Sequence, residues 1–109
     1  MNRGGAVDVL VVGGTLVLPG LAPVRADVAL NYDEPVARRG PRVRDVGDLA
    51  AVVAIDTVSA EGLWLHPAPS MLETRGDARW LRIDAPATLT IRRGREATSE
   101  LVTTIGSGT

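Results

Sequence analysis

The sequence contains no cysteine, no phenylalanine and no lysine, and its 109 residues include a single histidine. Without cysteine there are no disulfides, no thiolate nucleophile and no thiolate metal site, whatever the compartment. Without phenylalanine, and with Tyr32, Trp64 and Trp80 as the only aromatics, the core must be aliphatic. All 12 basic residues are arginine, a bias that fits the codon usage of a GC-rich genome or selection for bidentate contacts. No apolar run approaches the ~20 residues of a membrane span. Asp8 interrupts the first apolar stretch, so a secretory signal is not expected and a cytoplasmic location is the default. A net charge of −1 supplies no field to gather nucleic acid or acidic membranes.

Hydrophobic residues make up 45%, ordinary for one globular domain with one core. The apolar segments are short, β-branched and punctuated by turn residues. VDVLVV (7–12) precedes Gly13 and Gly14, then TLVL (15–18), Pro19 and Gly20, and ADVAL (26–30). An arginine-rich stretch follows and reads as a loop. Beyond it come AVVAIDTV (51–58), GLWL (62–65), RWLRI (79–83), ATLTIRR (87–93) and ELVTTI (100–105). Alternation sets Leu89 and Ile91 against Thr88, Thr90 and Arg92, and Leu81 and Ile83 against Trp80 and Arg82. Residues 45–55 have a helix-compatible composition, but Val52, Val53 and Ile55 favour extended chain. About seven short strands with frequent turns predict an all-β fold, a small β-sandwich formed by residues 1–109 as one domain.

The order of the segments resembles the cyclic amidohydrolases: dihydroorotases, hydantoinases and allantoinases. DVLVVGGTLVLPG, RADVAL and PVARRG resemble that family's opening strands and polar hairpin. VSAEGLWLHPAPSM resembles the passage into the catalytic barrel, where the usual pattern is an apolar strand, Pro-Gly and then Asp-x-His-x-His. GDARWLRIDAPATLTIRRG and ELVTTIGSG resemble the strands that return from the barrel. The resemblance implies a small β-sandwich assembled from two terminal segments, 1–74 and 75–109, joined near Thr74 with no room for a barrel of roughly 250 residues. With Pro67 and Ala68 at the family's Pro-Gly, Met71 falls at its aspartate, Glu73 at its first histidine and Arg75 at its second. Arginine stays protonated and has no lone pair for a cation, and one glutamate replaces paired imidazoles poorly. The family's lysine, its other histidines and its catalytic aspartate would lie on the missing barrel. The family's metal-dependent hydrolysis is therefore not expected, and no catalytic residue, metal or cofactor is assigned.

Two readings follow. In the first, the chain is a non-catalytic scaffold, accessory or oligomerising subunit. The face that the barrel would cover is open, with Trp64, Met71, Leu72 and Trp80 as candidate interface residues, because monomers rarely leave large apolar patches exposed. A second copy, a carbamoyltransferase or a full-length amidohydrolase is the partner that the resemblance suggests. In the second, the chain is a small enzyme or ligand-binding protein that reuses this surface around His66, Glu73, Arg75 and Asp77. A carboxylate beside a histidine suits general acid–base work. The plainer expectation makes His66 a strand-end residue before Pro67, and Glu73, Arg75 and Asp77 a solvated crossing. Arg38, Arg39, Arg42 and Arg44, with Arg92, Arg93 and Arg95, form two basic clusters. Their acidic neighbours Asp45, Asp48 and Glu96 and the scarcity of stacking aromatics argue against nucleic acid.

Overall fold

The computed structural model describes residues 6–32, 41–75 and 78–106. Valine and leucine in β1 (Val7–Val12) and β4 (Asp27–Tyr32) form near-continuous apolar runs, as strands covered on both faces do. These two pair antiparallel at the centre of a four-stranded sheet, with β5 (Pro41–Gly47) and β6 (Ala54–Ser59) outside them. The β1–β6 pairing is parallel. The second sheet runs in the order β11 (Leu101–Gly106), β10 (Thr88–Arg92), β7 (Trp64–Pro67), β2 (Thr15–Leu16) and β3 (Val24–Arg25). A third pair, β8 (Leu72–Arg75) and β9 (Ala78–Leu81), forms an antiparallel hairpin. The protein is all-β, as the alternation predicts.

The main core lies between the sheets. Val9, Val11, Val28, Leu30 and Val43 from the first sheet meet Leu16, Leu65, Leu89 and Ile91 from the second. Met71, in a short 3-10 turn (Pro69–Met71), and Leu81 of β9 fill the same core. A smaller cluster of Val7, Leu10, Ala29 and Leu49 covers the other face of the first sheet. Leu49 and Val52 reach it because the chain turns there, with Val52 N–H donating to Leu49 O at 3.0 Å and Val7 N–H to Val53 O at 2.9 Å. This turn, not a helix, occupies the stretch between β5 and β6. No helix among the described residues is long and apolar enough to cross a membrane.

Three local expectations change. The arginine-rich stretch read as a loop contains β5, an edge strand whose Val43 is buried while Arg44 and Asp45 face solvent. The strand read over 79–83 ends at Leu81, because Asp84 adopts φ 70° and turns the chain. Ile83, expected to share a face with Leu81, is 43% exposed while Leu81 is fully buried. The crossing at residues 72–75 is itself a strand, so the two segments are joined by hairpin pairing from Leu72↔Leu81 to Arg75↔Ala78.

Asp27 gives the Ala-Asp-Val segment its physical sense. One carboxylate oxygen accepts from Gly13 N–H at 3.0 Å and the other from Leu49 N–H at 3.1 Å. It closes the turn after β1, where Gly13 sits at φ 81°, and ties down the segment that covers the outer face.

Candidate functional site

His66 lies on β7 opposite Thr90 of β10, on the face of the second sheet turned away from the main core. Its Nε2 is 3.0 Å from the carbonyl oxygen of Gly94. A carbonyl oxygen only accepts, so Nε2 carries the proton and, in the neutral ring, Nδ1 remains an acceptor. The contact draws the loop between β10 and β11 back over the sheet. Arg92 Nη1 donates to Ser99 O at 2.7 Å and Arg93 N–H to Glu100 O at 2.9 Å, which hold the same loop.

A cleft of about 410 Å³ opens beside His66, lined by the turn around Pro19, by Pro67, Pro69 and Leu72, and by Arg95 from the folded-back loop. Glu73 does not line it. That side chain is half-buried on β8, at the register position opposite Trp80. Arg75 belongs to the backbone of β8, and Asp77 lies outside the described residues. The second reading therefore gains a cleft at His66, with Arg95 in place of the carboxylate expected beside it. Sequence spacing hides Arg95, since only the return of the loop brings it to residue 66. Among the described residues, no three of His, Cys, Asp and Glu cluster as metal ligands do.

The interface candidates separate. Met71 is fully buried, with its Sδ accepting from Thr88 N–H at 3.2 Å, so it belongs to the core and not to a surface of the monomer. Leu72 and Trp80 are partly buried and packed against that core, and Trp64 is half-buried on β7. Among the described residues the most exposed large apolar side chains lie elsewhere: Val53 just before β6, Ile55 on it and Leu101 on β11, followed by Ile83 after β9 and Val102 on β11.

The arginines act mainly as clamps on backbone. Arg42 donates to Asp84 O at 2.7 Å and Arg82 to Ser70 O at 3.3 Å, while Arg93 pairs with Glu100 at 3.2 Å. The two basic clusters sit on different sheets, Arg42 and Arg44 on β5 and Arg92 on β10. Arg38 and Arg39 lie outside the described residues.

The fold and site thus define an all-β, double-sheet domain in which the described residues form an apolar cleft rimmed by a histidine and an arginine. No family model matches the chain, and no curated protein matches it. Solved structures similar to it include an N-acyl-D-glutamate deacylase from Bordetella bronchiseptica in complex with zinc and a phosphonate inhibitor. That match has 24% identity and a TM-score of 0.47, over 57% of this chain and 12% of the other. A D-aminoacylase described as defining a novel subset of amidohydrolases matches at 27% identity and a TM-score of 0.46, over 56% of this chain and 11% of its own. Another D-aminoacylase structure, concerned with a binuclear metal centre, matches at 28% identity and a TM-score of 0.45. The chain spans about an eighth of the length of these proteins or less.

Proposed function

We propose that the protein is a barrel-less, amidohydrolase-like β-domain that works without catalysis, as an oligomerising or accessory subunit acting through protein contacts. The observation that carries this reading is the position of the exposed apolar side chains. Val53, next to β6, and Ile55, on it, are 65% and 62% exposed, and Leu101 and Val102 are 52% and 41% exposed on β11. Among the described residues β6 and β11 are outer strands of the two sheets, with no further strand paired to their outer backbone N–H and C=O groups. Proteins usually blunt such edges with charge or proline, and residues 101–106 contain neither. A bulge opposite Arg92 is the one device on β11 that limits pairing. A protein surface laid against these strands removes apolar area from water and satisfies backbone groups together.

The absence of catalysis is supported by Glu73 and Arg75, which stand where the resembling family carries metal-binding histidines. A carbamoyltransferase or a full-length amidohydrolase is the partner suggested by that resemblance.

Sedimentation velocity at micromolar concentration tests the self-association arm. A species heavier than the monomer is expected, and Val102→Lys should weaken its association at least tenfold. If the protein stays monomeric at ~100 μM and co-purifies with nothing from its native host, the reading fails.

A further inference from the structure

Two clefts among the described residues differ in whether their polar groups are already engaged. The first, about 390 Å³, lies beside the Gly13 turn and contains Arg25, Asp27, Asp48 and Glu61. Each of these is held within the chain. Asp27 accepts two backbone N–H groups, Arg25 pairs with Glu61 at 3.3 Å, and Asp48 accepts from Ala50 N–H at 3.4 Å. Such a set knits loops together and leaves little to offer a ligand.

The cleft at His66 is built differently. At about 410 Å³ it falls within the range of small-molecule sites, roughly 300–1,000 Å³. Among the described residues its lining is apolar apart from His66 and Arg95, and Arg95 is the one charged residue. Pro19, Pro67 and Pro69 make stiff walls, and Leu21 and Leu72 add aliphatic surface. Among the described residues Arg95 has no hydrogen bond or ion pair, unlike Arg25, Arg42, Arg82, Arg92 and Arg93. The His66–Gly94 contact fixes the backbone next to it, so the guanidinium is carried by a tethered loop. An unpaired guanidinium offers a planar fork matched to a carboxylate.

We propose that this cleft binds a small aliphatic carboxylate, with Arg95 holding the carboxylate and Leu21, Leu72 and the prolines holding the chain. His66 acts as a positioning residue through Gly94. The assignment is independent of the protein-contact reading and concerns a different face from the outer edge of β11.

Octanoate is the probe, with octan-1-ol as the uncharged comparison of equal chain length. Titration followed by amide and imidazole NMR shifts should give saturable changes at Leu21, His66 and Gly94. Octan-1-ol should bind at least tenfold more weakly. Arg95→Gln should weaken octanoate at least tenfold, Arg95→Lys less, and Arg44→Gln, an exposed arginine on β5, should leave it unchanged. His66→Leu should weaken binding while His66→Gln, which keeps an N–H donor for Gly94, restores most of it. Octanol binding as tightly as octanoate, full affinity in Arg95→Gln, or no saturable shift at these positions overturns the proposal. The octanol comparison needs no variant, so it decides even where a substitution disturbs folding.

Discussion

Replacing Leu65 by alanine should lower the unfolding free energy by about 2–5 kcal/mol, read from the midpoint of a urea titration at unchanged slope. Leu65 is fully buried on β7, the central strand of the second sheet, with β10 and β2 on either side. Its register partners are Ile91 and Leu16, both buried, so a truncated side chain leaves a void that the sheet backbone cannot easily close. The loss is large against the ~5–15 kcal/mol that holds a domain of this size together. A second substitution sharpens the test. A Cβ placed on Gly14 would lie 2.8 Å from Leu65 Cγ, too close for real atoms. Gly14→Ala should therefore destabilise the native protein and do so much less in the Leu65→Ala background. Additive losses in that double-mutant cycle would show that the two sites do not share a packing contact.

Asp27→Ala should cost about 2–4 kcal/mol, since it removes an ionised acceptor from two backbone N–H groups at once. Gly13 and Leu49 belong to different segments, 22 residues separating Asp27 from Leu49 and 14 from Gly13. One side chain thus couples the turn after β1 to the cover on the outer face of the first sheet. Asp27→Asn keeps one acceptor and turns an amide donor towards the other N–H, so roughly half the loss is expected. Amide hydrogen exchange supplies the local readout, with protection at Gly13 and Leu49 falling together in the alanine variant. If both amides stay protected, the carboxylate is not what holds them.

The strands legible in the sequence are those whose environment is simple. Residues 88–92 alternate because one face meets the core and the other solvent, and the structure follows that pattern. Residues 7–12 read as a strand because β-branched side chains crowd a segment covered on both faces. β5 is hard to read because Arg42, Arg44 and Asp45 suit a loop as well as an edge strand, and burial falls on Pro41 and Val43 alone. Met71 is buried in the monomer because the turn around Pro69 brings its side chain inward, a choice made by tertiary packing. At the site, His66 stood out as the single histidine, but its neighbour did not. Arg95 reaches the cleft because the His66 imidazole donates to the Gly94 carbonyl, and no local pattern encodes a contact across 28 residues.

The strand order also dictates a sequence of events in folding. β1, β4, β5 and β6 all precede the hairpin, so the first sheet can form once residue 59 is available. The second sheet is divided: β2, β3 and β7 come from before the hairpin, β10 and β11 from after it. A chain in which β10 has not yet docked on β7 is expected to leave one side of the main core uncovered, with Leu65 and Val43 open to water. Pairing over such sequence distances is slow, on the order of milliseconds to seconds. The β10–β11 hairpin is therefore a latch, and the interval before it closes is when the nascent protein is most prone to aggregate.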